Sequence, residues 1–220
     1  MAAPRVSASR SETAARREIV DVCRALAERR LIAGPDGNVS VRLDDDRVLC
    51  TPAGVRKGTL TPAMLVVVDL AGRPERCDAR PASSEIGLHL AAYAARPEVA
   101  AVVHAHPPMA TAWGVAGRDL VAPVLAEVIL LMGAVPRVPF AIPGTPALAA
   151  AFAPFFPHHD AFLMANHGAL TLGSTLALAH QRMECLEHAA TVVHAASVLG
   201  PVTALSDAEA TALRARRTAT

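Results

Sequence analysis

The chain carries only four cysteines and no CxxC pair: Cys23, Cys50, Cys77 and Cys185 are spread through 220 residues. That scatter argues against a cysteine-built zinc knot and a dithiol redox centre, and it fits a reducing, cytoplasmic setting. Long hydrophobic runs are missing too. No stretch reaches the unbroken apolar length of about 18 to 20 residues that spanning a bilayer requires, so no membrane association is expected. The opening MAAPRVSASR has arginines but no apolar segment behind them, which argues against a secretory leader and leaves residues 1–10 reading as a flexible tail. Neither sign of charge is in excess, with 21 lysines and arginines against 20 aspartates and glutamates. No nucleic-acid partner is therefore expected, and any anion site must be local. There is one tyrosine, Tyr93, and neither an internal repeat nor a low-complexity tract.

What is present is apolar material in quantity. Hydrophobic residues make up 52% of the chain, enough to give a single domain over residues 11–220 a sizeable core. From Ser11 to about Arg30, Ile19, Val22, Cys23 and Leu26 recur at helical spacing with Arg16, Arg17, Arg24 and Glu28 on other faces, an amphipathic helix. Strand patterns follow in NVSVRL, RVLCT and MLVVVDL, separated by turn-forming residues. Ser83 and Ser84 stand as N-cap candidates for a helix SEIGLHLAAYAARP that stops at Pro97. VAAVVHAHPP reads as a buried strand ended by two prolines. A short helix, a strand VPRVPFAIPG, a helix from Thr145, a strand DAFLMAN and a long helix from about Thr175 to Leu199 complete the pattern. Strands and helices interleave, which defines an α/β class with helices covering the sheet.

The chemistry-bearing residues gather at strand ends. His104 and His106 are two apart on a predicted strand, a spacing that sends both imidazoles to one face. A hydrogen-bonded pair of core histidines would look the same, so HxH needs company. Catalytic zinc sites usually take three protein ligands and leave one position open, and His167, at the end of AFLMAN, can supply the third. Glu85 sits at a predicted helix start, where unpaired N–H groups favour negative charge; Ser83 and Ser84 beside it could grip an anion or merely cap the helix. His158 and His159 read as exposed loop residues, and His194 has no distinguishing context. His180, Glu184 and His188 share one face of the last helix, the spacing any solvated stripe produces.

The motifs GNVSVR, TPAGVRKG, SSEIGLHLAAYAARP, AVVHAHPP, VPFAIPGT and ANHGAL, in that order, resemble the class II aldolase/adducin family, most closely its L-fuculose-phosphate aldolase type. The resemblance implies a three-layer α/β/α domain with a mainly antiparallel sheet, assembled as a homotetramer. It also implies one Zn2+ per subunit on His104, His106 and His167, with Glu85 as the catalytic glutamate. Asn38, Gly54, Ser83 and Ser84 match positions that bind a substrate phosphate. The activity it implies is retro-aldol cleavage of a small ketose phosphate through a metal-stabilised enediolate. A dehydratase of the methylthioribulose-1-phosphate type and a non-catalytic adducin-like module are the alternatives.

Two departures from that pattern bear on the substrate. Pro35 and Ala53 stand where the aldolases commonly carry hydroxyls around the phosphate, and Arg56 and Lys57 could replace them with charge. The aldolases also use tyrosines near the departing aldehyde, whereas Tyr93 falls in the helix after Glu85. Glu127 is a conceivable substitute.

Overall fold

The computed structural model describes residues 11–217, so the expected tail over residues 1–10 lies outside the described residues. The first helix, α1 (Glu12–Glu28), buries Ile19, Cys23 and Leu26 of the predicted stripe together with Ala15 and Val20, while Val22 is half-buried. Seven strands then form one sheet: β1 (Asn38–Arg42), β2 (Arg47–Cys50), β3 (Val66–Asp69), β4 (Ala101–Ala105), β5 (Arg137–Val138), β6 (Ala161–Met164) and β7 (Ala169–Gly173). Their order is β3-β2-β1-β4-β7-β6-β5. Every neighbouring pair is antiparallel except β5 with β6. The fold is thus mixed α/β with a mostly antiparallel sheet.

Alternate residues of these strands feed two separate cores. Val39, Val41, Leu49, Val67, Ala101, Val103 and Leu163 pack on one side with α1 and the long helix α6 (Leu176–Leu199). On the other side Val48, Val68, Val102, Phe162 and Leu170 pack with α2 (Ile86–Ala95) and α5 (Pro146–Phe152). Period-two alternation with both faces covered produces this three-layer arrangement. α3 (Pro108–Val115) and α4 (Ala126–Leu131) also lie on the α6 side. Among the described residues, no helix is long and apolar enough to cross a membrane.

The structure corrects several local expectations. The run VPRVPFAIPG keeps only Arg137–Val138 as strand, because Pro136 and Pro139 on either side cannot donate to a ladder. Residues 169–173, unassigned in the sequence pattern, form β7, pairing with both β4 and β6. A further helix, α7 (Asp207–Arg217), follows α6. The cap of α2 is Glu85 rather than Ser83 or Ser84; the Ser83 hydroxyl instead accepts from the Glu85 N–H at 3.3 Å. Thr175 caps α6 through the N–H of Leu178, at 3.1 Å.

Candidate metal centre

β4 is the central strand, fourth of seven. Its odd residues Ala101, Val103 and Ala105 enter the α6-side core and Val102 enters the other, so strand alternation turns His104 toward α2, fully buried. β4 ends at Ala105, one residue earlier than the sequence suggested. His106 is nonetheless held in line because its N–H donates to the carbonyl of Leu31 at 2.9 Å. His167 does not sit on a strand end. It lies in the turn joining β6 to β7, where Asn166 takes the left-handed conformation, φ 53°, that asparagine tolerates better than most residues. Gly168 is needed for space: a Cβ there would fall 2.5 Å from the Ala105 carbonyl oxygen and 2.6 Å from Cδ2 of His106.

The three rings meet edge to face, with centroids 4.9 Å apart for His104 and His106, 4.8 Å for His104 and His167, and 5.1 Å for His106 and His167. Nε2 of His106 is 3.1 Å from Nε2 of His104. Nε2 of His104 lies 3.3 Å from Oε2 of Glu85, and Nε2 of His167 lies 3.5 Å from Oε1. The opposite nitrogens point outward. Nδ1 of His104 donates to the carbonyl of Ala169 at 2.9 Å, which leaves Nε2 as the nitrogen turned toward Glu85 and the ring of His106. Nδ1 of His106 faces the Asp36 carboxylate at 3.7 Å.

Do these residues fit a cation? One ligand atom from each histidine lies within 4.8 Å of the others, and this is the group of that kind among the described residues. Zinc–nitrogen bonds of about 2.0–2.1 Å place tetrahedral ligand nitrogens about 3.4 Å apart, close to the His104–His106 spacing. Glu85 Oε1 is buried and accepts no hydrogen bond, an arrangement that costs free energy unless something else meets it. The donor set therefore fits a divalent cation.

Electrostatics agree. Burial pushes Glu85 upward, but the hydrogen bond and charge of His104, the charge of His167 and the Asn38 amide outweigh it and hold the carboxyl at about 2. Burial, then the positive character of its neighbours, lowers His106 to about 3 and His167 to about 4. At neutral pH these two imidazoles are neutral and the carboxylate ionised, the states in which such groups ligate a cation.

The remaining candidates divide. Asn38 is buried on β1 and donates Nδ2 to Oε2 of Glu85 at 3.0 Å. The loop carrying Gly54 (φ 68°) is tied to the segment before α2 by a bridge between Pro52 and Ala82 and by the bond from Ser83 N to Thr51 O, 3.1 Å. Ser83 is buried. Ser84 is exposed and, with Glu85, Gly87, Gly144 and Thr145, lines a cleft of about 300 Å³. Lys57 does not offer charge to a ligand: its ammonium is buried and donates to the carbonyls of Pro35 (2.7 Å) and Val55 (2.9 Å), tying the two loops together. Arg56 is exposed, as is Glu127 in the first turn of α4. His158, His188 and His194 are exposed, His159 is half-buried with Nδ1 3.0 Å from the Ala134 carbonyl oxygen, and His180 pairs with Glu184 at 3.3 Å.

Sequence reasoning overlooked Asp36, whose position depends on how its loop folds. It also overlooked a buried polar row linking Ser40 to His89 and Tyr93. The signal for that row was available: Asn38 and Ser40 alternate on a strand, and Glu85, His89 and Tyr93 recur every fourth residue on a helix.

Fold and site together define a known class. Residues 17–194 match the family model of the Class II Aldolase and Adducin N-terminal domain, and the chain belongs to that family. It is 35% identical over 187 residues to the 3-oxo-tetronate 4-phosphate decarboxylase of Pectobacterium atrosepticum, covering 83% of this chain and 85% of that protein. It is 34% identical over 199 residues to the L-fuculose phosphate aldolase of Escherichia coli, covering 88% and 89%. Among solved structures, YgbL from Escherichia coli superposes with a TM-score of 0.85 at 33% identity, over 92% of this chain and 99% of that one. The relatives are carbon–carbon lyases, and this chain is an enzyme of the same superfamily.

Proposed function

We propose that the protein is a zinc-dependent lyase that decarboxylates a four-carbon 3-oxo sugar acid phosphate, with His104, His106 and His167 holding the cation and Glu85 moving the proton. One observation carries the choice of leaving group. The only tyrosine in the whole sequence, Tyr93, is buried against Ser40 with 2.7 Å between the hydroxyls, so neither this chain nor a second copy of it can bring another phenol to the substrate. Retro-aldol cleavage needs a group to take the hydroxyl proton of the carbon that leaves as aldehyde. Carbon dioxide leaves without one.

The bound cation would supply positive charge against the two adjacent substrate oxygens on which charge develops. Glu85, ionised and held by Asn38, accepts the proton of the hydroxyl next to the carbonyl. The bond to the carboxylate carbon then breaks, its electron pair stays on the neighbouring carbon, and carbon dioxide departs. Glu85 returns its proton to that carbon, and a proton from solvent restores the hydroxyl, leaving dihydroxyacetone phosphate. Asn38, Gly54, Ser83 and Ser84 are assigned to the phosphate, supported by the loop ties that bring their segments together. The homotetramer rests on the family resemblance, and the cytoplasmic setting on the scattered, unpaired cysteines.

Retro-aldol cleavage of a ketose 1-phosphate is the second reading, favoured by the comparable identity to the fuculose phosphate aldolase. Product analysis decides. Supplied with 3-oxo-tetronate 4-phosphate and a panel of ketose 1-phosphates, the zinc-loaded protein should release carbon dioxide and dihydroxyacetone phosphate from the first. Aldehyde release from the panel alone establishes the aldolase. Loss of water with the carbon count unchanged establishes a dehydratase, and inertness toward all of them rejects both lyase readings.

A further inference from the structure

α2 meets β1 along a line of polar contacts that begins at Glu85 and runs away from the histidines. Asn38 donates to Glu85. Ser40 Oγ lies 2.7 Å from Nδ1 of His89 and 2.7 Å from the hydroxyl of Tyr93. Arg42 donates to the carbonyl of Tyr93 at 2.8 Å, and its guanidinium sits 4.9 Å from the ring centroid. Every second residue of the strand therefore answers every fourth residue of the helix. The two repeats are commensurate: two strand residues advance about 6.7 Å and four helix residues about 6.0 Å.

Such a seam fixes what apolar packing alone leaves loose. Leu88 and Ala92 place α2 on the core, but burial of apolar surface is non-directional and tolerates a sliding helix. Ser40, His89 and Tyr93 are each at most 2% exposed. A shift along the helix axis would strand their polar atoms away from water at full desolvation cost, so their hydrogen bonds select one register. α2 is only ten residues long, and Glu85 is its cap, fastened from behind through Ser83, whose N–H donates to Thr51 O at 3.1 Å and whose hydroxyl accepts from Glu85 N at 3.3 Å, and from the side by the seam. Nε2 of His89 is buried without a hydrogen-bond partner, so the ring is held on one side only, by Ser40.

We infer that His89, through Ser40 and Tyr93, is a positioning residue for Glu85: it locks α2 on β1 at the height that brings the carboxylate to the histidine cluster. The inference rests on the lyase reading, and its test separates the two. The readout is solvent deuterium exchange into the carbon-bound protons of dihydroxyacetone phosphate next to its carbonyl, followed by NMR with zinc-loaded protein, alongside zinc affinity from chelator competition. His89→Leu should slow exchange by about 10- to 100-fold, the scale on which a displacement of about 1 Å acts. Zinc affinity should fall far less than exchange does, because the three histidines stand on β4, directly after it and in the β6–β7 turn, none of them on α2. His89→Asn, whose amide can reach the position of Nδ1, should recover most of the loss. Ser40→Ala removes both central hydrogen bonds at nearly constant volume and decides the matter should His89→Leu fail to fold.

Wild-type exchange in folded His89→Leu or Ser40→Ala overturns the inference, as does a loss of zinc affinity in step with exchange, which would make the seam general scaffolding. No exchange by the zinc-loaded wild type overturns the lyase reading itself and the positioning role with it.

Discussion

Asn38 holds one oxygen of Glu85 at 3.0 Å while the other oxygen lies 3.5 Å from Nε2 of His167 and accepts no hydrogen bond. The carboxylate is anchored on one side and available on the other. Glu85→Gln keeps the shape and a partner for Asn38 but cannot shuttle a proton. Turnover should fall by about 100-fold or more, the usual span of general acid–base catalysis, with zinc content unchanged by metal analysis. Full activity in that variant would remove Glu85 from the mechanism.

Asp36 belongs to a loop held at three points: Leu31 O accepts from His106 N, Lys57 donates to Pro35 O, and Gly37 packs so tightly that a Cβ would lie 2.8 Å from the His104 carbonyl oxygen. That clamping keeps a carboxylate at Nδ1 of His106. At 3.7 Å the contact is longer than a hydrogen bond and the Asp36 carboxylate is exposed, so it acts on His106 through screened charge, and Asp36→Ala should weaken zinc binding by about fivefold or less in chelator competition. Unaltered affinity would show that the backbone bond to Leu31 suffices.

Gly168→Ala adds one methyl group where no space exists, against the Ala105 carbonyl and the ring of His106. Overpacking of this kind costs about 1–3 kcal/mol. Here the loss should appear both as a lower urea midpoint and as weaker metal binding, because the displaced groups carry the proposed ligands. Gly54→Ala serves as the contrast: its added Cβ meets nothing within 4 Å, so its only penalty is the left-handed backbone and metal affinity should be unaffected.

Acid should destabilise the protein before metal is added, beginning near neutrality. Burial, with His104 second, lowers His89 from 6.5 to about 3; His106 and His167 shift the same way, to about 3 and about 4. The unfolded chain takes up these protons below about 6.5 while the folded one refuses them, so stability is lost progressively as pH falls from there toward the folded values. Glu85, at about 2 when folded against 4.5 unfolded, adds a further loss over the lower part of that range. Urea midpoints measured from pH 7.5 down to 4 should decline steadily, and a flat profile between 6.5 and 5 would contradict the burial of these rings.

The sequence made β4 and its two histidines plain because a β-branched run with period two ends on consecutive prolines. Glu85, Asn38 and the serines became readable once six motifs fell in order, since each alone had an ordinary structural explanation. What stayed hidden depended on tertiary context. ALTLG is too short to declare itself a strand until β4 and β6 flank it, and nothing local to Gly168 shows that it packs against two histidines. Lys57 looked like a loop cation available to a phosphate, but only the folded loops show its charge spent on two carbonyls. Asp36 meets His106 across 70 residues of sequence, a proximity no local pattern encodes.

The placement of the three histidines also bears on how the site can come apart. Their supports are β4, the strand with three neighbours on either side of it in the sheet, and the hairpin of β6 and β7 that pairs with it directly. Interior strands of this kind open only with the molecule as a whole, whereas loops and short end helices fray on their own. Amide protons of residues 101–105 and 169–173 should therefore exchange at the slow limit set by global unfolding, those of the loop around Asp36 much sooner. His104 and His167 would then keep their places while that loop opens, whereas His106, whose N–H is held by Leu31 of the same loop, would loosen with it.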